Sequence, residues 1–555
     1  MVESARREMR TESGAGDQPA LLRRPRAEVS FPPSQTAVLE RMAGPSSYEG
    51  VALPDDALHL GAAADAPITL EQAVRSAVQR NLSIQSASIT PAVRAAEVVA
   101  AEARFDWTFF TSVDYARTDE PSAVPVIGGF PVGSSLNKNQ SVGFETGVRR
   151  NLESGATLQI AQGLTYTDQQ TPGIAFNPDP ANAAFIDIAA TQPLLRGFGS
   201  DVTQQEIRLA RNVERDAVQT LQAEVMRVVT ATERAYWNLV AARRGVLIAK
   251  RLLDRGIETR DVLKARQVFD VKPAEYSDAV ARVEQRRAAL LRAQNAMRKA
   301  SDALKVLIND PATPVGGEAI LVPTDAPLDE AIEISLIDAV ASAIDKRPEV
   351  RRAILTVDSA SIRQIAADAN TLPLLDLGFR TRFGGLSDTP GRAYGQITDA
   401  DFVNYVLDLR FETPIGNRGP EAAARARRLD RLRAVVDYRS AVQQAVLNVK
   451  TSLRDVATNY QLIEQTRSSR LAASENLRTL QVEEQTLRAL TPDFLDLKLR
   501  RQEALAQAEI DEIQALVDYN NALADMHNAM GTALTRNKID FVVPPAGDAQ
   551  RPLQP

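Results

Sequence analysis

Few side chains in this sequence are equipped for bond-making or metal chemistry. Cysteine is absent, which removes disulfides, thiolate nucleophiles and thiolate metal sites. The two histidines, His59 and His527, are far apart, and His527 lies among apolar and small residues near the end of a helical stretch, where a structural role is expected. No Ser/His/Asp set, Walker loop or other catalytic motif occurs in a credible context, so no enzyme, cofactor or metal site is expected. Carboxylates are plentiful, and among them Asp493 and Asp496 in "TPDFLDLK" stand in a D-x-x-D pattern. Three-residue spacing puts both on one helix face. Carboxylates just inside a helix N-terminus are also favoured by the helix dipole alone.

These carboxylates sit within very long helices. In the first half of the chain helical segments are expected at about 69–104, 202–268 and 274–309, and in the second half at 336–370, 420–490 and 492–535. The longest would span roughly 100 Å at about 1.5 Å per residue. In each half the two shorter helices add up to about the length of the long one, as if stacked along it. A narrow stripe of small and apolar residues, Ala210, Val213, Ala217, Leu221, Val225 and Val228, follows the spacing of a coiled-coil-like seam. Taken alone, these helices fit a soluble coiled-coil scaffold.

The two halves look alike. "ITLEQAVRSAVQRNLSIQSA" (Ile68–Ala87) aligns with "ISLIDAVASAIDKRPEVRRA" (Ile334–Ala353) with seven of twenty positions identical. A tandem duplication follows, with a first repeat over 67–310, a linker over 311–333 and a second repeat over 334–536. Residues 1–66 read as a disordered, Pro-rich extension and 537–555 as a tail. No apolar stretch of secretory-signal type follows the charged start, so no signal peptide is visible. The net charge of -6 gives no reason to expect nucleic acid.

No run of about 18 apolar residues occurs, so no transmembrane helix is expected, but a membrane strand needs only about ten alternating residues. Alternation is clear in Phe105–Arg117, Leu375–Phe383 and Val403–Thr413. It recurs in Ser141–Arg149 and Thr157–Tyr166 and weakly in Phe185–Thr191. A few such strands form an open sheet with free edges and a bare apolar face. Oligomerisation is the economical way to close it. With one up-down pair from each repeat, a chain gives four strands and three chains give twelve; the first repeat alternates more than two strands require, so either the middle segments 141–166 form an external hairpin or the barrel is larger. Trp107, Phe109, Tyr115 and Phe379 could face lipid or join an aromatic girdle, with core packing as the competing view.

Both repeats leave the strands through a Pro/Gly hinge, "QPLLRGFG" and "TPIGNRG". Pro193 and Pro414 cannot donate to a strand ladder. Gly197, Gly199, Gly416 and Gly419 can supply positive φ where the chain turns into a helix.

The duplicated openings, the two hinges and the terminal "YNNALADMHNAMGTAL" together resemble the TolC-like outer-membrane efflux channels over about residues 67–536. The resemblance implies a mainly α, mixed fold. Long antiparallel coiled-coil-like helices continue into β-hairpins that close a trimeric twelve-stranded transmembrane barrel. It implies a passive export channel for small molecules or proteins in the outer membrane of a Gram-negative-type cell, with a periplasmic helical tunnel. Such channels work in tripartite efflux or type I secretion with a periplasmic adaptor (membrane fusion) protein and an inner-membrane transporter. The tunnel would close at its helix tips, here 267–280 and 487–498. Asp493 and Asp496 match the family's pore-lining aspartates, which in a trimer form two acidic rings. Asp278 resembles its latch acid, with Arg488 as possible partner. Val271, Lys272 and Pro273, with Thr491 and Pro492 on the other tip, stand at the adaptor-contact tips, although Lys272 and Pro273 depart from the family's Val-Gly-Leu motif.

Overall fold

Alternation becomes sheet where cross-strand neighbours can share one apolar face, and the first of the chain's two compact units is built on that rule. The computed structural model describes residues 32–43, 65–121, 123–124, 126–131, 134–172, 175–266, 272–486 and 491–542. Its chain divides into one unit of Val93–Arg215 with Ile354–Asp437 and another of Met1–Ala92, Asp216–Ala353 and Tyr438–Pro555. Both units are discontinuous because the unit boundaries fall within helices, so they cut across the two sequence repeats.

In chain order the elements are helix α1 (Pro33–Ala43), β1 (Asp65–Ile68), α2 (Leu70–Arg80), α3 (Leu82–Glu102) and β2 (Thr108–Pro121). A small hairpin, β3 (Val126–Ile127) and β4 (Phe130–Pro131), precedes β5 (Leu136–Asn151), β6 (Thr157–Gln169) and β7 (Ala181–Pro193). Then come α4 (Ser200–Thr203), α5 (Gln205–Arg266), α6 (Pro273–Ile308), β8 (Ile320–Pro323), α7 (Leu336–Lys346) and α8 (Pro348–Ala369). The chain ends with β9 (Leu374–Ser387), α9 (Pro390–Thr398), β10 (Phe402–Glu412), α10 (Arg418–Thr486), α11 (Pro492–Ala529) and α12 (Ala533–Arg536).

The sheet of the first unit has six strands in the order β10-β9-β7-β6-β5-β2, every neighbouring pair antiparallel. One chain thus carries six strands in this sheet, where one up-down pair from each repeat would give four. β5 and β6 are not an external hairpin. They pair with each other from Asn139↔Gln169 to Asn151↔Thr157, and with β2 and β7 on either side. The pairing register explains why. It carries one apolar face across all six strands, for example through Phe109, Val148, Ile160 and Ile188, or through Val113, Phe144 and Leu164. A register slip of one residue would turn each of these side chains to the other face. That opposite face holds Asp114, Glu145, Arg149, Asp187 and Arg382. Glycine makes room on it: Gly143 and Gly378 lie where a Cβ would collide with the carboxylates of Asp114 and Asp408. Helix α9 covers part of the apolar face, with Ala393 and Ile397 packed on Ala184, Leu164, Ile186 and Phe383.

The hinges lie in the same unit. Pro193 is the last residue of β7, and the chain turns through Gly197 (φ 85°) and Gly199 (φ 95°) into α4. Leu194 donates from its backbone N–H to Leu375 O at 2.7 Å, which keeps the turn on β9. After β10, Pro414 follows and Gly416 takes φ 88°. Gly419 differs from expectation: it lies in the first turn of α10, and Asn417 (φ 42°) takes the second left-handed position. Asn tolerates this conformation, and its Nδ2 donates to Thr371 O at 2.9 Å.

The other unit holds α6 and α11, of 36 and 38 residues, and most of α5 and α10, which are 62 and 69 residues long. Tyr236 and Trp237 meet edge to face in its largest core, with Leu239, Val246, Leu253, Leu290 and Leu304. β1 and β8 form a parallel pair. The Tyr236 hydroxyl donates to Asp325 at 2.8 Å and accepts the backbone N–H groups of Thr324 and Asp325, and burial raises its pKa. α2 and α7 are alike. Each has 11 residues and a hydroxyl cap, Thr69 or Ser335, that accepts the N–H three residues on. Each buries one stripe, Ala73, Val74, Ala77 and Val78 in α2 and Ala339, Val340, Ala343 and Ile344 in α7. Within the stretch expected to be disordered, Pro33–Ala43 is a helix, with Leu39 fully buried and its carbonyl accepting from Ser474 Oγ.

Candidate gate at the helix tips

Two helix starts shape the candidate site. Proline is tolerated in a first turn because that N–H has no helical partner, and α6 and α11 begin at Pro273 and Pro492. Thr491 caps α11 by accepting the Phe494 N–H at 3.3 Å. Lys272, exposed, precedes α6, and its backbone N–H donates to Glu275 at 3.2 Å. Leu263, Ala279 and Leu495 form a small buried cluster beneath these starts. Val271 and Arg488 lie outside the described residues.

The carboxylates fall into different surroundings. Asp493 is exposed in the first turn of α11. Asp496, one turn deeper and half-buried, accepts from Arg282 Nη2 of α6 at 2.8 Å and is also paired with Arg500. Asp278 reaches the same guanidinium, accepting from Arg282 Nε at 3.1 Å. Arg282 therefore brings Asp278 and Asp496 together and ties α6 to α11. Two arginines thus offset Asp496, while Asp493 stands further out.

Below the tip the tie continues into buried charge that sequence reasoning missed. Arg286 of α6 is buried and donates to Leu252 O (3.1 Å), Gln502 Oε1 (2.9 Å), Leu499 O (3.3 Å) and Glu503 (3.3 Å), so it joins α5, α6 and α11. Burial lowers its pKa. Gly256 of α5 allows this approach, since a Cβ there would stand 2.9 Å from Arg286 Nη1. Further along α11, Glu512 pairs with Arg467 at 3.1 Å and with Arg470 of α10. Glu509 faces Arg251 of α5 at 3.5 Å. Burial pushes the Glu509 carboxyl up to about 7, because desolvation outweighs Arg251, Arg255 and Arg470. A sequence signal existed: Glu509 and Glu512 fall on the stripe of α11 that also carries Leu505, Leu516 and Leu523. His527 stays neutral at ordinary pH, since burial and Arg536 lower it to about 4, and its Nδ1 lies 3.1 Å from Thr532 Oγ1.

On the sheet, the aromatic residues read as lipid-facing are all exposed: Trp107 51 %, Phe109 70 %, Tyr115 61 % and Phe379 42 %. The Arg150 guanidinium lies over the Trp107 ring at 5.6 Å. The described residues include no helix long and apolar enough to cross a membrane.

No protein-family model and no curated protein matches this sequence. Solved structures do. The CmeC outer-membrane channel of Campylobacter jejuni is similar with a TM-score of 0.58 at 14% identity, over 84% of this chain and 86% of that one. The outer-membrane channel OprN gives 0.60 at 13%, over 83% and 90%. The open-state MtrE outer-membrane channel of Neisseria gonorrhoeae gives 0.57 at 18%, over 84% and 89%. At such identity it is the fold that is shared. The chain has the fold of these outer-membrane channels, mainly helical with an antiparallel sheet, as the TolC-like resemblance implied.

Proposed function

We propose that this protein is a passive export channel of the outer membrane of a Gram-negative-type cell. Three copies join their sheets edge to edge into a closed transmembrane barrel, and their long helices line a periplasmic tunnel. The single observation that carries the reading is the sheet. Its apolar face runs across six strands, much of it bare. Among the described residues its outer strands β2 and β10 pair on one side only. Such edges and such a face are unfavourable in water, whereas closure within lipid satisfies both.

In this reading the tunnel narrows at the tips of α5–α6 and α10–α11. Asp493 and Asp496 from three copies form two acidic rings that raise local cation concentration and disfavour anions. Asp278 belongs to the latch that holds the tips, through Arg282 and with Arg488 as a further candidate. Val271, Lys272, Pro273, Thr491 and Pro492 form the surface offered to a periplasmic adaptor protein, which links the channel to an inner-membrane transporter in tripartite efflux or type I secretion. Trp107, Phe109, Tyr115 and Phe379 meet lipid. The matching caps and buried stripes of α2 and α7 support an origin by tandem duplication.

The test is fractionation. The protein should be recovered from outer membranes with detergent and migrate as a heat-resistant trimer. A stable monomer extracted in plain buffer would sink the channel and favour a soluble coiled-coil scaffold.

A further inference from the structure

We infer that the β5–β6 hairpin is part of the lipid-facing wall, so that the barrel closes with eighteen strands rather than twelve and its apolar ligand there is lipid acyl chain. The inference rests on the proposed trimeric channel and specifies its wall: six strands in each of three copies make eighteen.

Three observations carry it. The first is length. β5 and β6 are paired over Asn139–Asn151 and Thr157–Gln169, and a membrane strand needs only about 9–11 residues. The second is level. The turn between β5 and β6 docks on the hinge at the end of β7. Ser154 Oγ donates to Gln192 Oε1 at 2.9 Å, the Gly199 N–H donates to Ser154 O at 3.2 Å and Thr203 Oγ1 donates to Glu153 O at 2.5 Å. Gly155, at φ 94°, fits there only because it lacks a Cβ, which would strike Gly197 O. The hairpin therefore ends at the level of β7 and does not project beyond the sheet. The third is polarity. Val142, Phe144, Ile160 and Tyr166 are about as exposed as Phe379 and lie on the same face, while Glu145, Arg149 and Gln159 share the other face with Asp187 and Arg382.

Closure is geometrically consistent. With six antiparallel strands, β2 and β10 run in opposite directions, so the β2 edge of one copy meets the β10 edge of the next as another antiparallel pair. Barrel diameter grows with strand number, and about 16–18 strands leave an open aqueous lumen. The charged face of the sheet lines it.

The absence of native cysteine makes a direct test available. Single-cysteine variants Phe144→Cys and Ile160→Cys, with Glu145→Cys and Gln159→Cys on the opposite face and Phe379→Cys on β9 as the membrane reference, are placed in proteoliposomes. They are exposed to a charged, membrane-impermeant maleimide. The expected result is loss of labelling at Phe144→Cys and Ile160→Cys to the level of Phe379→Cys, with Glu145→Cys and Gln159→Cys labelled through the lumen. Labelling of Phe144→Cys and Ile160→Cys while Phe379→Cys stays protected would place the hairpin outside the wall and overturn the inference alone. Labelling of Phe379→Cys as well would overturn the membrane reading itself. Imaging of the unmodified detergent-solubilised trimer down its axis should count eighteen strands, and a count of twelve overturns the inference without any substitution.

Discussion

Arg282 occupies the position at the tips where loss of one side chain has the most consequences. It holds Asp278 of its own helix and Asp496 of α11 at 3.1 and 2.8 Å, with its side chain only a quarter exposed. Exposed ion pairs contribute about 1 kcal/mol at most, and partial burial brings this one towards the upper end. Arg282→Ala should therefore loosen the tip by about 1 kcal/mol, seen as a higher open probability in planar bilayers with little change in whole-protein melting. Asp493→Ala with Asp496→Ala should reduce cation preference, with Asp493 supplying the larger share because two arginines already offset Asp496. Unchanged selectivity would remove the acidic-ring proposal. Glu509 gives a pH prediction. Its pKa rises from 4.5 to about 7 in the folded state, so the folded protein binds the proton more tightly than the unfolded chain. That contribution to stability is complete below about pH 4.5 and is lost as pH rises through 7. Glu509→Gln should flatten this part of the melting-temperature profile between pH 5 and 8. An unaltered slope would show that another group titrates there.

At the scale of elements, hinges and caps are the sensitive points. Gly199 adopts φ 95° with open space around it, so a side chain there meets backbone strain rather than a clash. Gly199→Ala should cost about 1–2 kcal/mol. Gly155→Ala adds a collision with Gly197 O to the same strain and should be the more damaging, measured as loss of heat-resistant trimer. Thr491→Ala removes the α11 cap and should cost about 1 kcal/mol, with hydrogen exchange rising in the first turn of that helix. These elements were largely legible in advance. Helix and strand periods differ, Pro and Gly mark the chain reversals, and Thr or Ser before an apolar stripe marks a helix start. Gly419 departs from expectation because sequence shows where positive φ is tolerated, not which residue takes it; Asn417 does, secured by its bond to Thr371.

At the scale of the whole molecule, the sequence by itself determined the long helices, the strand segments and the two-faced character of each strand, because 3.6-residue and 2-residue periods are written locally. It also fixed what chemistry is unavailable, since a chain without cysteine has no thiolate at any fold. Tertiary structure alone decided which strands are neighbours. The β5 and β6 segments alternate like the others, yet only the register with β2 and β7 puts them inside one six-stranded sheet. It also decided which charges meet. Arg282 and Asp496 lie 214 positions apart, and Arg251 and Glu509 lie 258 apart, so no local pattern pairs them. Such pairings depend on how helices are set side by side, a choice made by the fit of many apolar contacts at once.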